Sequence, residues 1–146
     1  MAWITPKTDW SAQYSDTGLF IGDFFNINDF NRIKNNLLYL RELATELMHG
    51  VPRITVPEDK TSYEEYFYAD EFNQIEDALE TIDNFIGWVD WGDKQVFYDN
   101  GRFIEASELN RIEGAELELY NLLTNSIAGK LRLAFRLGTR ENSIRI

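Results

Sequence analysis

One short pattern is written three times in this chain, and it constrains the fold more than any other feature. The copies are Asn28-Asp29-Phe30-Asn31-Arg32-Ile33-Lys34, Asp70-Glu71-Phe72-Asn73-Gln74-Ile75-Glu76 and Ser107-Glu108-Leu109-Asn110-Arg111-Ile112-Glu113. They share the order small polar, acid, Phe or Leu, Asn, Arg or Gln, Ile, charged. Two bulky residues precede each copy: Phe24-Phe25, Phe67-Tyr68 and Phe103-Ile104. Repetition of this kind marks one structural unit used three times.

Each copy reads as the start of a helix. Asn26 or Asn28, Asp70 and Ser107 are candidate N-caps. Asp29, Glu71 and Glu108 suit the positive end of a helix dipole. The preceding bulky residues are placed to form a hydrophobic staple. The residues downstream of each start have helical period. Phe30, Ile33, Leu37, Leu40, Ala44 and Leu47 form one heptad stripe, and Phe72, Ile75, Leu79, Ile82 and Ile86 a second. The third, Leu109, Ile112, Ala115, Leu119 and Leu122, is less regular, because Glu116 falls inside it. His49-Gly50 with Pro52, and Gly87, are stop signals, with His49 expected in the last turn of its helix. The expected helices lie near 28–49, 70–86 and 107–126. Their narrow seams suit packing within one chain, and equally packing between subunits.

The Asn of each repeat sits beside the apolar stripe, not in it. Asn is a poor helix former. Its return as Asn31, Asn73 and Asn110, twice followed by Arg (Arg32, Arg111), points to a polar contact with the backbone of an adjoining loop.

The segments between helices carry weaker signals. Residues 1–27 read as an extended arm pinned by Trp3, Trp10 and other aromatics, with a turn at Asp16-Thr17-Gly18. Residues 51–66 read as a loop. Asn100-Gly101 between apolar flanks predicts a small β-hairpin near 94–104. In residues 130–146, Leu131, Leu133, Phe135 and Leu137 alternate with Lys130, Arg132, Ala134 and Arg136, which predicts a basic β-strand tail. A second short strand from Ser143 to Ile146 is expected to follow it. The expected architecture is therefore mainly α with small β elements. An arm (1–27) precedes a three-helix bundle-like domain (28–129), and a strand (130–146) follows it.

Composition removes most chemistries. The 146 residues include no cysteine and one histidine, so thiol nucleophiles, Cys-ligated metals and multi-His sites are excluded. The net charge of −11 argues against nucleic-acid and anionic-membrane partners. It is unevenly spread. Five basic residues against Glu141 alone leave residues 130–146 at +4, and residues 1–129 stand at −15. Such a tail can neutralise its own body or dock on a neighbour's. No apolar run is long enough to span a bilayer, and no secretory signal is expected at MAWITPKTDW.

Phosphate-binding glycine loops and the nucleophile elbow are absent. The acidic pairs read as solvated faces and helix-start charge. Asp90, Asp93 and Asp99 match no calcium-loop spacing. No enzyme activity, cofactor or metal is expected. Trp88, Trp91 and Tyr98 are the one serious cluster for binding, suited to a protein interface or to stacking on a sugar.

Trp3-Ile4-Thr5-Pro6-Lys7-Thr8-Asp9-Trp10, followed by Asn26-Ile27-Asn28-Asp29-Phe30-Asn31-Arg32-Ile33-Lys34-Asn35-Asn36, resembles tail proteins of tailed phages and prophages of Gram-positive bacteria. Tyr68-Ala69-Asp70-Glu71-Phe72-Asn73 and Glu108-Leu109-Asn110-Arg111-Ile112-Glu113 are similar to the same group. The resemblance implies a non-enzymatic virion part: a tail-tip, baseplate or fibre-attachment component. It would be made in the host cytoplasm and located in the virion tail. Without a fibre shaft or receptor-binding head, an adaptor is favoured. Its expected partners are other tail proteins and copies of itself as a homo-oligomer. The candidate interface residues are Trp3, Trp10, Trp88, Trp91, Tyr98, Arg132, Phe135, Arg136 and Arg140. The alternative is a module that recognises a cell-wall glycan or receptor through exposed aromatics.

Overall fold

The computed structural model describes residues 3–62, 65–86, 89–99 and 104–144, with side chains through Ile127. It is mainly helical. The elements are α1 (Ile27–Leu47), α2 (Ala69–Ile86) and α3 (Ala106–Ile144), and each helix packs on the other two.

All three helices begin on the repeated pattern. Asn26 caps α1: its side chain accepts from the amides of Asn28 and Asp29, while Asp29 accepts from the Asn26 amide. This reciprocal box satisfies donors that a helix start otherwise leaves open. At α2 the Glu71 carboxylate accepts from the Tyr68 amide at 2.9 Å, so the cap is Tyr68. Asp70 and Ser107 thus lie inside their first turns instead of capping them. The staple is present where expected, with Phe67 and Phe72 ring centroids 6.3 Å apart. Helix α1 ends at Leu47, where the Met48 amide still reaches the Ala44 carbonyl, so His49 falls just beyond its last turn.

The core is one threefold layer pattern. Counting from each Asn, the same five steps pick out Phe30, Ile33, Leu37, Leu40 and Ala44 on α1. They pick out Phe72, Ile75, Leu79, Ile82 and Ile86 on α2, and Leu109, Ile112, Glu116, Leu119 and Leu123 on α3. Ile86 is partly buried; all the others are buried. Each large apolar side chain so removed from water contributes about 1.5–3 kcal/mol. The third stripe is therefore as regular as the other two. It holds Glu116 as a core residue and uses Leu123, while Leu122 is 37 % exposed. At the end where the helices begin, Phe25, Phe30, Phe67, Phe72 and Phe97 pack ring on ring at 5.0–6.3 Å.

Two expected β elements fare differently. The backbone from Lys130 to Ile144 is helical and continues α3, which corrects the expected strands there. The alternation Leu131, Leu133, Phe135, Leu137 also supplies the helical pairs Leu131–Phe135 and Leu133–Leu137. Residues 128–138 contain no β-branched side chain, and their three Leu, two Arg, two Ala and one Lys favour helix. Extending an existing helix also avoids the cost of a new nucleus. The Asn100-Gly101 turn of the expected hairpin lies outside the described residues; residues 94–98 on its near side form no strand. Among the described residues the β pairing is a single bridge, Tyr14 to Phe20, in the arm.

Candidate functional site

The repeated Asn is a clamp on extended backbone, and it works the same way three times. The Asn31 side chain accepts from the Lys60 amide and donates to the Lys60 carbonyl, both at 2.8 Å. Asn73 does this to Phe97 at 2.7 and 2.9 Å. Asn110 does it to Trp10 at 2.7 and 3.0 Å. A carboxamide has one acceptor and one donor side by side, so it can mimic a neighbouring strand to a single residue. The segment leading into each helix is held by the helix before it. Lys60 precedes α2 and is held by α1; Phe97 precedes α3 and is held by α2. Trp10 precedes α1 and is held by α3, which closes the ring. Asn36 adds a fourth clamp, taking both backbone groups of Ile4 at 3.2 and 2.7 Å.

The residue after Asn31 and the residue after Asn110 link neighbouring helices. Arg32 forks onto Glu113, with Nε to Oε1 at 2.7 Å and Nη2 to Oε2 at 2.9 Å, and also reaches Asp29 at 2.9 Å. Arg111 donates to Glu108 at 2.8 Å and to Glu76. The third such pair would join Gln74 to Lys34, where a neutral amide stands in place of the Arg and a Lys in place of the Glu. Lys34 turns instead to Asp59 at 2.5 Å. The two Arg–Glu links differ in completeness. Glu113 also accepts from the Trp10 indole at 2.5 Å and the Lys7 amide at 3.1 Å. Glu76 leaves one oxygen without a partner, as Arg111 leaves one nitrogen. Burial accordingly raises the Glu76 carboxyl above its ordinary value, with Arg111 opposing the rise.

Glu116 is the exception in the core. It is 0 % exposed, and neither oxygen has a hydrogen-bond partner. Burial pushes its carboxyl well above the ordinary range; the charge of Glu113 adds to the shift and that of Arg32 opposes it. It occupies the register that Leu37 and Leu79 hold on the other helices.

The predicted interface residues divide into distinct settings. Trp10 is 6 % exposed and belongs to the chain's own core. Trp3 stacks on Tyr120 at 4.2 Å with rings 5° from parallel, and tilts against Tyr39. Both therefore pin the arm down. The Arg111 guanidinium carbon lies over the Trp91 ring, 5.1 Å from the ring centroid. Gly92 turns there with φ 78°, where a side-chain carbon would press on Arg111 at 3.0 Å. Tyr98 is 72 % exposed. Trp88 lies outside the described residues. Arg132, Phe135, Arg136 and Arg140 fall on the helical backbone of α3, and their side chains lie outside the described residues.

Sequence reasoning passes over one feature. Between the arm and the entry to α3 lies a cavity of about 740 Å³, walled by Trp10, Tyr14, Phe20, Phe24 and Phe25 and by Ile104, Ala106 and Leu109. Asp23, Glu105, Ser11 and Ser107 supply its polar lining. The aromatic density of residues 10–25 is its one sequence signal. Among the described residues no group of three His, Cys, Asp or Glu is arranged to hold a metal. No helix among them is long and apolar enough to cross a membrane. The chain matches no protein-family model, no curated protein and no solved structure.

Proposed function

We propose that this chain is a non-enzymatic assembly component of a phage tail or phage-derived particle, acting through contacts between subunits. The observation that carries the proposal is the course of α3. One continuous helix of 39 residues starts in the acidic bundle and carries Lys130, Arg132, Arg136 and Arg140 along its last turns. At 1.5 Å per residue it is roughly 58 Å long, against about 32 Å for α1. Among the described residues its buried side chains run from Leu109 to Leu123, with Ile127 packed beside them. The helical register sets Arg132, Arg136 and Arg140 at successive four-residue steps, a spacing that suits a basic contact face. The polar residues of the repeat support the reading in another way. Asn31, Asn73, Asn110, Arg32 and Arg111 are all engaged in holding loops and helices together. The tail-protein resemblance supplies the setting.

The test is light scattering of the full chain over a concentration series at low and high salt, with the variant R132E/R136E/R140E alongside. The proposal expects a discrete oligomer that salt weakens and the charge reversal abolishes. Identical association of the variant and the parent chain would remove the basic segment from the mechanism.

A further inference from the structure

We propose that the aromatic cavity beside the arm receives the basic C-terminal end of α3, residues 130–144, from a second copy of this chain. The inference rests on the assembly reading above and gives it a location.

The first argument is an insertion. From the clamped residue to the following Asn is 13 residues in the second and third repeats, Lys60 to Asn73 and Phe97 to Asn110. In the first repeat, Trp10 to Asn31, it is 21. The surplus folds on itself. Tyr14 pairs with Phe20, the Ser15 amide donates to the Leu19 carbonyl at 2.7 Å, and Gly18 turns with φ 84°. Gly22 packs so closely on the Ser11 and Gln13 backbone that a side chain would collide there. The other two repeats reach their helices with eight residues fewer (21 − 13), so the bundle does not require the surplus. Yet it displays Tyr14, Leu19, Ile21 and Phe24, each more than half exposed. A cluster of large apolar side chains kept in water marks a contact surface.

The second argument is complementarity. The cavity has an aromatic floor, with the Asp23 and Glu105 carboxylates in its lining. Its volume lies in the range that encloses several side chains, roughly 300–1,000 Å³. Residues 130–144 offer Leu131, Leu133, Phe135 and Leu137 together with four cations. Apolar groups meet the aromatic floor and Arg meets carboxylate or aromatic face.

The third argument is distance. The cavity sits at the first turn of α3, and the basic segment is the other end of the same helix. Ser107 and Thr139 are 32 residues apart on one helix, or roughly 48 Å. The tail cannot fill its own cavity without breaking that helix. The contact is therefore between copies and head to tail, the kind that builds rings or filaments.

The chain has no cysteine, which makes disulfide trapping clean. The full-length variants S107C and T139C are mixed under mild oxidation, and S107C is mixed with N84C as the control for random collision. The proposal expects the S107C–T139C heterodimer to form at least tenfold faster than the control. It also expects Phe24→Ser, placed in the S107C chain, to reduce that rate to the control level while leaving the circular dichroism unchanged. Equal rates for the two mixtures would overturn the placement. If R132E/R136E/R140E still abolishes an oligomer in that case, the assembly reading stands and only the cavity assignment falls. If no oligomer forms at any concentration, both fall. Background crosslinking, with a change in intrinsic fluorescence on adding wall polysaccharide that Phe24→Ser removes, would assign the cavity to a glycan and also overturn the proposal.

Discussion

Replacing Glu116 by Leu should stabilise this protein, and by an amount that depends on pH. The carboxyl is fully enclosed, neither oxygen has a partner, and the same register is Leu on α1 and α2. An unpaired polar group in such a place costs about 1–3 kcal/mol even when neutral. Leu removes that cost and adds apolar contact in the same layer. A gain of about 2 kcal/mol corresponds to a rise in Tm of roughly 6 °C for a chain of this size. The charge state sets the pH dependence. Burial raises the folded-state pKa well above the ordinary value, with Glu113 reinforcing and Arg32 opposing. The favourable neutral form is therefore fully available below the unfolded pKa, near 4.3, and its contribution is lost as pH rises through the folded value. The advantage of Leu should be smaller at pH 5 than at pH 8. Urea unfolding followed by tryptophan fluorescence, at both pH values and high salt, measures the difference and screens the net charge. Glu116→Gln separates the two causes: it abolishes the pH dependence but keeps an orphan amide, so its gain is smaller. A Leu variant less stable than the parent at pH 8, or a difference that ignores pH, would refute the reasoning.

The same geometry sets three further outcomes. Asn31→Ala, Asn73→Ala and Asn110→Ala each remove two hydrogen bonds to backbone, at about 1 kcal/mol apiece, so each should lower urea-unfolding stability by about 2 kcal/mol. Near-equal losses at Asn31 and Asn73 would show the clamps to be equivalent; an effect near zero at either would show that its loop holds without the side chain. Arg32→Met strands the buried Glu113 charge and should cost about 3–5 kcal/mol. Adding Glu113→Gln, which still accepts from the Trp10 indole, should recover at least half of that in a double-mutant cycle. Gly114 lies inside α3 with open space where a side chain would go, so Gly114→Ala should raise stability by about 1 kcal/mol in thermal unfolding.

The helices are legible in the sequence because their signals are local and repeated. A cap, a first-turn acid and a heptad stripe lie within 20 residues of one another, and three copies reinforce the reading. The polar role of the Asn is legible too, since Asn just off an apolar stripe has few other uses. Its partners are not. Lys60, Phe97 and Trp10 lie in aperiodic segments, and nothing local marks which backbone a carboxamide will hold. The third stripe is obscured at Glu116 because a carboxylate is ordinarily a sign of solvent. The tail misleads because alternating Leu satisfies a strand and an i, i+4 helix alike; the missing β-branched residues are the deciding signal. The inter-helix pairs do carry a readable trace. Arg–Glu at two pairs of repeat positions becomes Gln–Lys at the third, so the positions that carry Arg and Glu change together.

The closing clamp has a consequence for the order of events in folding. Asn110 grips Trp10 across 100 positions of sequence, and Glu113 reaches Trp10 and Lys7 across 103 and 106. The arm leaves the ribosome well before its seat on α3, which is made about a hundred residues later. At about 5–20 residues per second that interval is roughly 5–20 s. Throughout it Trp10 lacks the Asn110 and Glu113 partners of its native seat, and the long sequence separation makes its docking a slow, late step.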